Sequence, residues 1–471
     1  GPDTMTRKKM AIISSYFSGE SYGLLGPQMA ATIIRQQTPY DCLVIALDRQ
    51  DDKTQVKRIL GEYFGKDRPV IGFSTLSGRE DLFALAGELK AEGAMTILAG
   101  PQADVDYLGE KGWRQYGHRF AGLIPQFSCA LWGPAEQAIH LLNNLDNPDW
   151  HQTPGLLYVG KPGEVIQNPR QPWDEHYLRK VNWDQIYRFG QEGLTALPVA
   201  TAQVLQQIGC PQAARAEWID LDYPSFLSGS NRKKVSLPLK GCSFCDVAVD
   251  KGYHGLLDLE TVLAQIQGLP GLPDQRRIPF ELINENPLPG LPHLLKKIKE
   301  GGLKISQINL TLRADGLVKD QAGLEEALRL AREMGVRLLA ASIGFESFDD
   351  RILHNLHKGL DTRTNLEAVH ILRRFKRLFP LQWAYSRQEG AAHGFIHPTP
   401  WDTPESQEKT RAVMDRYALE EDILPHHSIP LIIHHASHLG DWIREIESGE
   451  NLSFRRYVST IGWWPEAVIN N

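Results

Sequence analysis

Short apolar runs alternate with segments of helical spacing from residue 10 onward, in two successive blocks, and no other feature limits the fold so strongly. In the first block the spacing predicts strands over 10–14, 42–47, 70–74, 95–99 and 129–132. Between them fall helices over 27–37, 54–64 and 79–92, and a last one opens at Gly133-Pro134-Ala135-Glu136. Period-2 runs alternating with period-3.6 runs imply a parallel, doubly wound α/β sheet of Rossmann-like kind. Ligands of such sheets lie outside the carboxyl ends of the strands. Those ends are 14–26, 74–77, 100–103 and 132–136, all small, polar or glycine-bearing, so a flat ligand can approach the backbone. No Gly-x-Gly-x-x-Gly follows the first strand, which counts against a dinucleotide.

The second block has the same rhythm. Strands are expected over 235–239, 278–283, 307–312, 337–344 and 391–396, with helices over 258–268, 291–301, 323–334, 349–355, 363–374 and 404–417. Successive βα units suggest a partial or full (βα) barrel, whose chemistry sits at the carboxyl ends of its strands. Cys242, Cys245, Asn284, Glu285, Arg313, Glu346 and His397 all fall there. The expected domains are therefore 1–150, a connector over 151–229, the barrel over 230–420 and a cap over 421–471. A length of 471 residues suits two or three domains.

Cys242-Ser243-Phe244-Cys245 sits behind the run 235–239. Two thiolates on one turn can grip one metal or cluster, or form a redox pair. Five cysteines in so long a chain do not make a disulfide scaffold, and a reducing cytoplasm is expected. A net charge of −6 argues against a nucleic-acid partner. No apolar run reaches the ~18–20 residues of a membrane span, and no signal-peptide pattern precedes the first strand. Gly1-Pro2-Asp3-Thr4 reads as the scar of a cleaved tag and is set aside. In the tail, His434 and His438 are four apart, the spacing of a bis-histidine metal site if both lie on one helix; a cap over the barrel is the alternative.

The pattern resembles the cobalamin-dependent radical S-adenosylmethionine (SAM) enzymes. Leu98-Ala99-Gly100-Pro101-Gln102-Ala103 is similar to the Gly-Gly-Pro-His-type turn of their cobalamin domain, and Trp132-Gly133-Pro134-Ala135-Glu136 to its Gly-Glu-type turn. The Asp-x-His-x-x-Gly signature of methionine-synthase-like domains is absent, as it commonly is in the radical SAM members. In the second block, Gly344-Phe345-Glu346-Ser347 resembles the Gly-x-Glu-Ser strand, and Asn309–Asp315 the strand carrying the SAM-facing arginine. Gly394–Pro400 with Thr403-Pro404-Glu405 resembles the pattern that closes the barrel, and the cysteine pair resembles the end of the Cys-x-x-x-Cys-x-x-Cys loop.

The resemblance implies three cofactors: cobalamin, a 4Fe–4S cluster and SAM. Ser14, Ser18, Gly19, Tyr22, Gly23, Gly26, Ser74, Leu76, Gly100, Pro101, Gln102, Trp132, Gly133 and Glu136 would line the corrin site. Cys242 and Cys245 would hold the cluster, Phe244 would pack on adenine, and Asn284, Glu285, Arg313 and Glu346 would orient SAM. The implied activity is methyl transfer to a carbon centre, or a radical rearrangement or cyclisation, on a small-molecule or peptide substrate. Electrons would come from a donor such as flavodoxin or ferredoxin.

One position departs from the pattern. Counting back from Cys242 and Cys245 at the family spacing, the first cysteine should stand at 238, and the residue there is Pro238. Cys210, Asp246 or His254 can each supply a replacement donor. The second reading is a cluster-free relative that binds cobalamin or another tetrapyrrole as a carrier, sensor or non-radical catalyst. A different metal or a redox pair at the two cysteines is the third.

Overall fold

The computed structural model describes residues 7–17, 19–76, 78–100, 123–227, 229, 233–245, 253–457 and 460–470, with the backbone only for 253–254. It divides into two compact units, Gly1–Ala202 with Tyr457–Thr460, and Gln203–Arg456 with Ile461–Asn471.

In the first unit, β1 (Lys8–Ser15), β2 (Tyr40–Leu47), β3 (Val70–Ser74), β4 (Met95–Ala99) and β5 (Cys129–Leu131) run parallel in the order β5-β4-β3-β1-β2. This is the doubly wound order, with its switch point between β1 and β3. The interior strands read as almost unbroken apolar runs because helices cover both faces. One face packs Ile13, Ile45, Phe73 and Leu98 with Leu60, Phe83 and Leu85 of the helices. The opposite face packs Ile12, Val44 and Ile97 with Ala31 and Ile34 of α1 (Leu25–Gln37).

The sheet extends into the segment read from sequence as a connector. Leu156–Val159 (β6) and Val165–Gln167 (β7) add an antiparallel edge beyond β5. Ile186–Gly190 (β8) pairs parallel with β2, and Gly193–Ala196 (β9) folds back on it. Residues 156–196, read from sequence as connector, thus complete the first sheet.

The sheet of the second unit runs Ala202–Leu205 (β10), Phe280–Ile283, Gln307–Leu312, Arg337–Glu346 and Trp383–Ala384, and Gly394–Phe395 pairs with the end of Arg337–Glu346. The path does not close among the described residues, so the (βα) unit is an open, partial barrel. Two of its longer amphipathic helices carry aspartate caps. Asp361 accepts from the Thr364 amide at the start of the helix Thr362–Leu378, and Asp320 accepts from Gly323.

The run 235–239 is not a strand of this sheet. It belongs to Lys234–Leu239, which pairs antiparallel with Glu217–Asp222 in a two-stranded ribbon. The ribbon buries Leu221, Val235 and Leu239 against Trp401, Ile433, Trp442 and Ile446. The indoles of Trp401 and Trp442 both donate to the Asp222 carbonyl, at 3.0 and 3.1 Å. In the tail, His434 ends the short strand Ile433–His434, while His438 begins the helix His438–Gly449. The two histidines therefore do not share a helical face.

Candidate functional site

The first candidate region is the carboxyl edge of the first sheet. Ser14 is buried within β1. Ser15 follows, and its hydroxyl accepts from the Leu76 amide at 3.0 Å, joining the ends of β1 and β3 at the switch point. Gly100 turns at φ +73°, and a Cβ there would lie 2.5 Å from the Ser74 hydroxyl, so only glycine lets these strand ends meet. Gly19 has φ +85°. Tyr22 stacks near Tyr16 at 4.6 Å, and the Gly23 amide donates to the Thr201 carbonyl at 2.7 Å. A Cβ on Gly23 would stand 2.5 Å from the Trp183 ring. Gly26 lies in the first turn of α1 with open space around it.

Two large apolar side chains flank the switch point in water: Phe17 is 64% exposed and Leu76 50%. Apolar side chains beside a crevice of small residues suit a broad, partly apolar ligand. At β5 the picture is different. The Trp132 indole donates to the Asn168 carbonyl, and the Arg170 guanidinium sits 5.1 Å from its ring centre. Glu136 is buried, which raises its pKa, and it accepts from the Asp174 amide at 2.9 Å. Trp132 and Glu136 thus serve to hold the 168–174 segment, and Gly133, at φ +108°, packs under Arg170. Ser18, Pro101 and Gln102 lie outside the described residues.

The second region is in the second unit. The loop 240–245 is held on two sides by backbone bonds. Lys240 donates to His438 Nε2 at 3.0 Å, and Leu439 donates to the Ser243 carbonyl at 3.0 Å. The Ser243 amide donates to Leu356, its hydroxyl donates to Asn355, and His357 bonds the Gly241 carbonyl. Cys242 and Cys245 are half-buried on this fixed loop, and neither is in a disulfide. Phe244 packs against the ribbon and tail core.

Arg313 leaves the end of Gln307–Leu312. Asp315 grips it at 3.0 Å, and it also donates to the Lys358 carbonyl. Burial works against its charge, yet Asp315 and the thiols of Cys242 and Cys210 lie near enough to raise its pKa. Asn284 bonds the Gln206 side chain at 2.9 Å and caps the Asn286 amide, while Glu285 is exposed. Glu346 ends its strand in the left-handed region, at φ +65°. Its carboxylate lies between two glycines: a Cβ on Gly344 or on Gly394 would stand 2.8 Å from one of its oxygens. Burial pushes the Glu346 carboxyl up, while Lys358, 3.8 Å away, and Arg313 pull it back.

The structure thus gathers Cys242, Arg313 and Glu346 at one end of the sheet and adds Cys210 and Lys358, which the motifs alone did not single out as a set. Asp246, and the His254 side chain, fall outside the described residues. Pro238 stands in the ribbon opposite Trp218, which is 73% exposed. Among the described residues no three His, Cys, Asp or Glu side chains converge as they would on a single metal ion. Thiolates that hold a cluster bind different irons and stand further apart.

No family model matches the chain, and no curated protein does. Among solved structures, the fold is similar to that of OxsB, a cobalamin-dependent S-adenosylmethionine radical enzyme. With aqua-cobalamin and S-adenosylmethionine bound, OxsB matches at a TM-score of 0.58 and 12% identity, covering 97% of this chain and 64% of that one. With aqua-cobalamin alone the TM-score is 0.57, and the apo form gives 0.53 at 13% identity. The chain spans just under two thirds of the length of OxsB, and over nearly all of its own length its fold is similar to that of OxsB.

Proposed function

We propose that the chain is a cobalamin-using radical SAM enzyme that works on a small-molecule or peptide substrate, by methyl transfer to a carbon centre or by radical rearrangement or cyclisation. The observation that carries this reading is the set Cys242, Arg313 and Glu346, gathered at the carboxyl edge of an open (βα) sheet. A soft thiolate, a fixed guanidinium and a buried carboxylate match a cluster and the charged methionine end of SAM. Cys242 and Cys245 are the proposed cluster ligands. Arg313 and Glu346, with Glu285 at the rim, would pair with the carboxylate and amino groups of SAM. The crevice at Ser15, Phe17, Leu76 and Gly100 is the proposed corrin site.

A cluster so held supplies the electron that cleaves SAM, and cobalamin the carrier chemistry. The chain's own contribution is positional. Asp315 and the Lys358 carbonyl fix the Arg313 fork, and Lys358 opposes the rise that burial imposes on the Glu346 carboxyl. An electron donor such as flavodoxin or ferredoxin would complete the system.

Anaerobic reconstitution followed by iron, sulfide and corrin analysis and a 5′-deoxyadenosine assay tests the reading. Bound iron, a corrin spectrum and SAM cleavage are expected. A reconstituted protein with neither iron nor SAM cleavage would refute it in favour of a cluster-free cobalamin or tetrapyrrole binder.

A further inference from the structure

Pro238 left the cluster site one thiolate short in sequence. From the structure we infer that Cys210 is the missing ligand, so that the cluster motif is split as Cys210, then 31 residues, then Cys242-x-x-Cys245, with the ribbon inserted between its first and second cysteines. The inference rests on the proposed cluster and names its third ligand.

Cys210 comes five residues after the end of β10, the edge strand of the second sheet, and directly after Gln207–Gly209, which pairs with Tyr253–Leu256 in a separate two-stranded sheet. After β10, which is hydrogen-bonded to Phe280–Ile283, the chain continues as Gln207–Gly209 and reaches Cys210. Gln206, between the two short strands, donates from its amide to the Ile283 carbonyl and accepts from Asn284. Cys210 therefore leaves the sheet beside 283–285. That is the place expected of the first cysteine after the first strand of a (βα) unit; Val235 to Leu239 lie elsewhere.

The intervening 31 residues leave this point and return to it. The ribbon pairs Glu217 with Leu239 at its base and Asp222 with Lys234 further out, so its two ends are neighbours. At the base the loops touch: a Cβ on Gly241 would lie 3.6 Å from Ala213, in the turn that Cys210 opens. The residue before Cys242 thus rests on the turn after Cys210. Cys210 and Cys242 both lie near the same guanidinium, that of Arg313.

Two nearby histidines are already engaged. His357 bonds Gly241 and Glu217 through its two ring nitrogens, and His438 bonds Lys240. Cys42 and Cys129 are fully buried in the core of the first unit. Three thiolates leave one iron of a cubane open for SAM, which two cannot do while also fixing the cluster in place.

The experiment compares wild type with Cys210→Ser, Cys242→Ser, Asp246→Asn and His254→Gln after anaerobic reconstitution, reading iron, sulfide and the reduced-state EPR spectrum with and without SAM. Wild type, Asp246→Asn and His254→Gln should hold about four irons per chain, and both cysteine variants should fall to roughly a quarter of that or less. Differential alkylation of the wild type reads the same point without a variant. Loading should protect Cys210, Cys242 and Cys245 together, while Cys42 and Cys129 are unchanged. A loaded wild type with Cys210 still freely alkylated, or a Cys210→Ser variant with full iron and an unchanged SAM response, overturns the inference and leaves the cluster in place. A wild type that takes up no iron refutes the cluster reading itself.

Discussion

Lys358→Met should destabilise the second unit by about 2–4 kcal/mol, and nearly all of that loss should depend on Glu346. The side chains are 6% and 12% exposed and their charges stand 3.8 Å apart. At an effective dielectric near 20, two unit charges at that distance attract by roughly 4 kcal/mol. Arg313 also acts on Glu346, so part of the attraction survives the change and the lower end of the range applies if that part is large. Gly344 and Gly394 leave the room that the Glu346 carboxylate occupies, since a Cβ on either would stand 2.8 Å from one of its oxygens. Urea unfolding followed by tryptophan fluorescence measures the cost, and Glu346→Gln with the double variant closes a thermodynamic cycle. The pH dependence has a definite sign. Burial raises the folded-state pKa of Glu346, so the folded form takes up its proton at a higher pH than the unfolded chain. Stability contributed by that proton is present at low pH and is lost as pH rises through the folded pKa. Removing Lys358 raises the pKa further, so the penalty should be largest at neutral pH and shrink towards the ordinary glutamate range. A cost below about 0.5 kcal/mol, or a cycle with no coupling, refutes the view that Lys358 holds a charged carboxylate in place.

Other perturbations test different parts of the structure. Leu76→Asp and Phe17→Asp alter exposed side chains, so thermal stability should stay within about 0.5 kcal/mol while hydroxocobalamin affinity, read from the visible spectrum, falls about tenfold or more. Unchanged affinity would move the corrin site elsewhere. Gly23→Ala places a methyl group 2.5 Å from the Trp183 ring and should cost about 1–3 kcal/mol in thermal unfolding; an unchanged melting temperature would mean that the ring moves freely. Although burial opposes it, the Lys376 ammonium and Ser386 hold the Glu389 carboxyl down at about 2. Its contribution is present above the unfolded pKa and lost as pH falls through the folded one, so Lys376→Met should shift acid unfolding, followed by circular dichroism, to higher pH.

The parallel core was legible because its strands are buried on both faces and its helices carry their own boundaries. The helix expected over 258–268 is Leu259–Gln267, flanked by Asp258 and Gly268, and the strand expected over 337–344 extends only to Glu346. The edges were not legible. Val165–Gln167 and Gly193–Ala196 are too short for periodicity to register, and they exist because neighbouring strands offered unpaired backbone. At the site, Glu346 and Arg313 could be named from local motifs, since each sits at a strand end. Lys358 could be named only as part of a motif resemblance, in Lys358-Gly359 before Asn365–Ala368, and its meeting with Glu346 is made by folding.

Pro238 shows how a local rule can be applied to the wrong question. Read as a motif position, it is a lost ligand and argues for a protein without a cluster. Read for its backbone, it says something else. Proline has no amide to give to a ladder, so it is confined to edge strands, strand ends and bulges. A proline inside 235–239 therefore argues against a central barrel strand. The alternating burial of Lys234–Leu239 agrees, since it is the pattern of a ribbon with one face covered. Once that strand is moved out of the sheet, the first strand must be sought upstream, and the first cysteine after it is Cys210. Spacing motifs assume an uninterrupted loop, whereas a hairpin whose ends pair can be inserted without moving either end of that loop. On the ligand set proposed above, the three thiols would share one site although 31 residues separate the first two, and Pro238 would mark the insertion that displaced the first ligand along the sequence.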